Sequence, residues 1–141
     1  MEVRLARGAN EVEQALSLRE RVFCGEQGVD LDAERDGRDR DALHVVALEG
    51  GRVVGTCRLL VEDGVARLGR MAVEPERRRS GVGAAILAAA EREARDAGAA
   101  RVALHAQTAA RGLYERGGYV QRGDPFVEEG IDHVTMERAL A

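Results

Sequence analysis

Apolar and polar positions along the chain alternate between two periods, one of strands and one of helices. Val3 to Ala6 is a short apolar run that reads as a first strand. From Asn10 to about Phe23 the spacing turns helical, with Val12, Leu16, Arg19 or Glu20, and Phe23 on one side. Asn10 followed by Glu13 reads as an N-cap with an acid three residues on, and Gly25 and Gly28 break the helix. His44 to Leu48 and Arg52 to Val61 are strands about a Gly50-Gly51 turn, and Asp63-Gly64 marks a second hairpin. Val65 to Val73 returns as the central strand, although Leu68, Met71 and Val73 do not alternate cleanly. AAILAAAEREARDAG follows, alanine-rich and of high helix propensity. Ile86, Leu87, Ala90, Ala94 and Ala97 share one face of it, with Glu91, Arg92, Arg95 and Asp96 outside and Gly98 placed for a left-handed cap. Arg101 to Ala106 alternates as a strand, Thr108 to Arg116 is a short helix ended by Gly117-Gly118, and Tyr119 to Arg122 and Asp132 to Arg138 are closing strands joined by a DPFVEEGI loop. The order β-α-β-β-β-α-β-α-β-β predicts a mixed sheet with helices against it, of the α/β or α+β class.

Composition narrows this picture. At 141 residues, with no repeat or linker, the chain suits one domain over residues 1–141. Apolar residues make up 45% but aromatics only 3%, so the core has to be aliphatic. The net charge of −4 argues against a nucleic-acid binder, since positive charge is local and forms no basic face. No run approaches membrane-spanning length and no signal-peptide apolar core precedes the first strand. A cytoplasmic protein without a membrane partner is therefore expected. Cys24 and Cys57 have no metal-like or redox-like spacing and read as small buried residues.

The chemistry concentrates between the central strand and the alanine-rich helix. Glu74-Pro75 ends the strand. Arg77, Arg78 and Arg79 come next, then Ser80-Gly81-Val82-Gly83 directly before the helix. A helix start offers unpaired N–H groups and partial positive charge, glycines let a ligand approach the backbone, and arginines add fixed charge, so the segment reads as an anion site. Two phosphate loops fail on the letters. There is no lysine for G-x-x-x-x-G-K-[ST], and Ile86 stands where the dinucleotide fingerprint needs a third Gly or Ala. The acidic stretch Asp30 to Asp41 imitates the start of a calcium loop at Asp32, Glu34, Asp36 and Gly37, but Leu43 stands where a bidentate Glu is required. His44, His105 and His133 also lack ligand spacing, and no metal is expected.

Arg78, Gly81 and Gly83 after Val73-Glu74-Pro75 resemble the R/Q-x-x-G-x-G/A signature of the GNAT family of N-acetyltransferases. Arg19 or Arg21, then Val22, Phe23, Glu26, Gln27, Gly28 and Val29, followed by Glu34, Asp36, Asp39 and His44, are similar to its ElaA-like subgroup, with Asp30 where that subgroup usually has Pro. Ala110, Leu113, Tyr114, Gly118 and Tyr119 resemble the element N-x-x-A-x-x-L/F-Y-x-x-x-G-F/Y, with Gln107 in place of Asn. The resemblance spans nearly the whole chain and implies a mixed, mostly antiparallel central sheet flanked by helices. It implies acetyl-CoA as cosubstrate, held by Met71, Ala72, Val73, Arg78, Arg79, Ser80, Gly81, Val82, Gly83, Gln107 and Tyr114. Side chains at Gly81 or Gly83 would then occupy the pyrophosphate's space. It implies Tyr114 as the acid for the departing thiolate, and a backbone N–H near Met71 or Ala72 as oxyanion donor. The acceptor would be a primary amine of a small molecule or peptide, between the loops Glu26 to Asp41 and Asp124 to Asp132, where Glu26, Glu128 and Glu129 would draw a cation. A homodimer is compatible with the family. A non-catalytic acyl-CoA-binding domain on the same fold is the alternative, because fold does not fix function. The general base stays open among Glu26, His44, His105 and Glu74.

Overall fold

The computed structural model describes residues 1–140. Its strands are β1 (Glu2–Leu5), β2 (Leu43–Glu49), β3 (Arg52–Glu62), β4 (Val65–Val73), β5 (Arg101–Gln107), β6 (Val120–Glu128) and β7 (Ile131–Ala139). Its α-helices are α1 (Gly8–Arg19), α2 (Leu31–Glu34), α3 (Val82–Asp96) and α4 (Arg111–Arg116). The strands form one sheet ordered β1-β2-β3-β4-β5-β7-β6, with every neighbouring pair antiparallel except β4 and β5. The expected mixed, mostly antiparallel sheet flanked by helices is what forms.

Strand β2 shows how the two helix layers attach. Val45 and Ala47 pack with Ile86, Leu87, Ala90 and Ala94 of α3, while Val46 and Leu48 pack with Ala15 and Leu18 of α1. Successive strand residues point to opposite faces, so a run that is apolar at every position has to be covered on both sides. Burying each Val, Leu or Ile among these stabilises the fold by about 1.5–3 kcal/mol, and each Ala by about 0.8 kcal/mol.

Several boundaries differ from the sequence expectation, each for a local reason. Helix α1 starts at Gly8, and Asn10 does not cap it. Glu11 takes that role, accepting the backbone N–H of Arg7 at 2.7 Å while it forks onto Arg4 at 2.7 and 3.0 Å. Gly25 does not break the helix, which continues past Arg19 as a π-helical segment, Glu20–Glu26. Glu91 of α3 faces inward, because the Tyr119 hydroxyl (2.8 Å) and Arg138 (2.9 Å) meet it there, whereas Ala97 is exposed. The expected loop DPFVEEGI is mostly strand. β6 runs to Glu128 on the sheet edge, Pro125 falls where its register with β7 shifts, and only Glu129 and Gly130 turn, both with positive φ (52° and 73°).

The feature that makes room for a site is in β4. Opposite β3 the pairing steps from Thr56↔Ala72 to Arg58↔Gly69, which leaves Arg70 and Met71 facing Cys57 alone. This is a bulge, and Arg70 sits in it at φ 56°. Pairing of β4 with β5 stops at Leu68↔Leu104, and beyond that point β5 pairs with β7 but not with β4. The two parallel strands part like a fork.

Candidate active site

A cavity of about 690 Å³ lies along this fork. Met71, Ala72, Val73, Arg78, Gln107 and Tyr114 line it, and so do Glu128 and Glu129, all named from the sequence. Glu26 does not line it. Its carboxylate is forked by Arg78 (2.6 and 2.8 Å), which holds it below the usual carboxylate range. Arg78 also donates to the Val73 carbonyl at 3.0 Å, so its guanidinium clasps the end of β4 to the π-helical segment. Gln27 and Gln107 exchange amide contacts of 2.8 and 3.3 Å across the cavity wall.

Arg79, Ser80, Gly81, Val82 and Gly83 lead into α3. Gly81 takes a left-handed φ of 87° just before the helix, and a Cβ there would meet nothing within 4 Å. The first helical bond runs from Ala85 N–H to the Gly81 carbonyl at 3.0 Å. The N–H groups of Val82, Gly83 and Ala84 thus stand before any intrahelical partner. The Val82 side chain is in the core, so only its backbone faces the loop. Gly83 departs from expectation: a Cβ there would lie 3.3 Å from Leu113, so its missing side chain admits α4 against α3. Ser80 donates its hydroxyl back to the Arg77 carbonyl. Arg79 is exposed at φ 62° and has no ion pair among the described residues.

Tyr114 is held from below. Helix α4 ends in a Schellman arrangement, with Tyr119 N–H on the Tyr114 carbonyl and Gly118 N–H on the Glu115 carbonyl, both at 3.0 Å. That places the Tyr119 ring edge-on to the Tyr114 ring, centroids 5.9 Å apart. Burial, with Cys57 nearby, raises the Tyr114 hydroxyl well above its ordinary value. Among the described residues the hydroxyl has no hydrogen-bond partner, and it remains a donor over the whole neutral range.

The acidic stretch turns out to be an arginine network. Fully buried Arg19 reaches Glu34 (2.8 Å) and Asp39 (2.7 Å). Arg58 forks onto Asp36 with two contacts of 2.8 Å, and Arg70 reaches Glu34 (2.8 Å) as well as the Ala33 and Glu34 carbonyls. The Arg58 fork holds Asp36 far below the carboxylate range. Burial would raise Asp39, but Arg19 and Arg58 outweigh it and leave it lowered. These three acids are therefore neutralised by Arg19, Arg58 and Arg70, and they present no acidic rim to a substrate. Their work is to fix the bulge residue Arg70, next to Met71, in the strand that borders the cavity. Sequence reading missed Arg58 and Arg70, and the broken alternation around Met71 was their trace.

Of the four candidate bases only His105 lines the cavity. Glu74 is bound by Arg21 (2.5 Å) and Arg52 (3.4 Å), and buried His44 has Nε2 on the Asp39 carbonyl at 2.9 Å. Cys57 is buried and pushed up to about 12, and burial together with Glu34 raises Cys24, which is not in the cavity wall. Neither thiol is a nucleophile of this site. Among the described residues no group of His, Cys, Asp and Glu is arranged to hold a metal ion, and no helix is long and apolar enough to cross a membrane.

The family model of the acetyltransferase (GNAT) domain matches residues 10–140. The chain is 35% identical over 137 residues to YjcF of Bacillus subtilis (strain 168), an uncharacterized N-acetyltransferase, covering 96% of this chain and 98% of that one. An acyl-CoA N-acyltransferase from Pseudomonas aeruginosa superposes with a TM-score of 0.87 at 28% identity, over 99% of this chain and 100% of that one. Escherichia coli ElaA superposes at 0.86 with 23% identity, over 97% and 98% of the two chains, a likeness of fold. The chain belongs to the GNAT family and is an N-acetyltransferase.

Proposed function

We propose that this enzyme transfers the acetyl group of acetyl-CoA directly to a primary amine of a small molecule or peptide. What supports the reading most is the fork. One cavity runs beside β4, where the backbone from Gly69 to Val73 has no β5 partner, and reaches Tyr114. The helix start at Gly81 to Gly83 stands at the end of the same strand and suits the pyrophosphate, with Arg79 as an added cation. The solved acyl-CoA N-acyltransferase of the same fold, at 28% identity, agrees with an acyl-CoA cosubstrate.

Three physical demands follow from the reaction. An alkylamine of pKa about 10 is neutral in roughly one molecule per thousand at pH 7, so it has to lose a proton before it attacks. Charge growing on the carbonyl oxygen needs a fixed donor, a role that suits a backbone N–H of β4 near Met71 or Ala72. The departing thiolate needs a proton or a strong hydrogen bond, and Tyr114 carries the hydroxyl for it. A free thiol has a pKa of about 8.5, below that of the buried tyrosine, so the hydroxyl acts chiefly as a donor while the C–S bond breaks.

On the acceptor side Glu128 and Glu129 line the cavity, and Glu129 has no ion pair among the described residues. With the arginine network neutral, they give that end a negative potential suited to a cationic amine. The test is thiol release from acetyl-CoA with polyamines, amino acids, aminoglycosides, arylamines and peptides. Cationic acceptors are expected to have the highest kcat/KM, and Glu129→Gln should lower only theirs, by up to about fivefold for an exposed charge. No acetyl transfer to any amine would overturn the reading.

A further inference from the structure

We infer that His105 is the general base of the transfer and that Glu128 is its positioning residue. This rests on the acetyl-transfer reading above and gives the reaction the one group that reading leaves open.

The placement comes from strand register. Leu68↔Leu104 is the last pair of β4 with β5, and His105 is the next residue along β5, at the crotch of the fork. Its face alternates with buried Leu104 and Ala106, and it shares that face with Gln107, two residues on, which also lines the cavity. On the strand beyond β7, Glu128 accepts from His105 Nδ1 at 3.0 Å. An ionised carboxylate only accepts, so Nδ1 carries the hydrogen, and in the neutral ring the lone pair is on Nε2. Phe126 fixes the ring from the side, edge-on with centroids 4.9 Å apart, and is itself stacked on His133 of β7 at 5.8 Å. Two contacts therefore set the orientation of a half-exposed imidazole, and neither uses Nε2.

The surrounding charges agree with this role. Around the same cavity stand Glu129 at the hairpin turn and His133 on β7. Arg70 on β4 is occupied by Glu34, Arg38 by Glu62, and Asp36 by Arg58. Arg67 on β4 has no ion pair among the described residues and is the one cavity arginine left to oppose an ammonium. Glu128 and Glu129 offset it.

The proton account closes. An N–H bond of the acceptor ammonium breaks, its electron pair stays on nitrogen and the proton moves to His105 Nε2. The neutral amine forms the N–C bond to the acetyl carbonyl carbon, and the C–S bond breaks. The nitrogen then sheds a second proton. That proton reaches the thiolate, which the Tyr114 hydroxyl steadies by donating a hydrogen bond as the C–S bond breaks, and His105 passes its own to water. One proton is released per acetyl group transferred.

The test uses the whole protein and the best acceptor found by thiol release, so that wild-type turnover establishes the transfer itself before any variant is read. His105→Asn keeps a donor for Glu128 and removes the base. It should lower kcat about 10²-fold with the KM for acetyl-CoA unchanged, abolish the ascending limb of the pH–rate profile, and regain part of its rate with added imidazole. Glu128→Gln should lower kcat about tenfold; a carboxylate that merely bound the ammonium would raise KM and leave kcat alone. Wild-type kcat and an intact ascending limb in His105→Asn would overturn the assignment, as would a Glu128→Gln effect confined to KM.

Discussion

Glu34→Ala is expected to destabilise the protein by about 3–5 kcal/mol, the largest single loss that the structure implies. Glu34 is 1% exposed and its carboxylate bridges Arg19, which is fully buried, to Arg70 in the bulge of β4. Removing it leaves the buried Arg19 guanidinium with Asp39 as its remaining partner. Losing one partner of a buried ion network costs far more than that partner contributes when the network is intact. For a chain of this size the change corresponds to a fall in Tm on the order of 10 °C. Glu34→Gln keeps an acceptor for both arginines and should lose less. A Tm within a few degrees of wild type for Glu34→Ala would show that the network is only surface charge. The pH dependence has a definite sign. Asp36 and Asp39 are held below their ordinary value near 3.9, so their contribution is present above it and is lost as pH falls through the lowered values.

The second large effect is on the chemical step. Tyr114→Phe keeps the ring against Tyr119 and deletes a hydroxyl that has no protein partner among the described residues, so Tm should not move. If that hydroxyl serves the departing thiolate, kcat falls on the order of 10²-fold with little change in the KM for acetyl-CoA. The contrast between the two variants is informative: one should unfold the roof of the site, the other should leave a folded and slow enzyme. An unchanged kcat across pH would return Tyr114 to a packing role.

Most of the scaffold was legible in sequence because it follows from periodicity. The meander of β2, β3 and β4, the β5 alternation and the Ile86, Leu87, Ala90 and Ala94 part of the α3 stripe rest on apolar spacing that tertiary contacts did not override. The errors fell where a polar side chain found a distant partner. Glu91 turned inward to Tyr119 and Arg138, 28 and 47 positions away, and no local pattern announces that. Asn10 lost the cap because Arg4 fixes Glu11. The pairing of Glu34, Asp36 and Asp39 was not legible in the acidic stretch because their neutralising arginines, Arg19, Arg58 and Arg70, lie on three other elements. The glycine turn before α3 and the tyrosine of α4 were legible as a resemblance in letters. The pairing of His105 with Glu128 was not, since it depends on β7 lying between their strands.

A single cavity holding both substrates is the central claim, with no protein nucleophile in its wall. Its most direct test is the initial-velocity pattern when acetyl-CoA and the best amine are varied together. Direct attack within a ternary complex predicts intersecting double-reciprocal lines and no thiol burst in the absence of amine. Parallel lines with a burst of thiol would mean a covalent acetyl-enzyme, and would contradict the account.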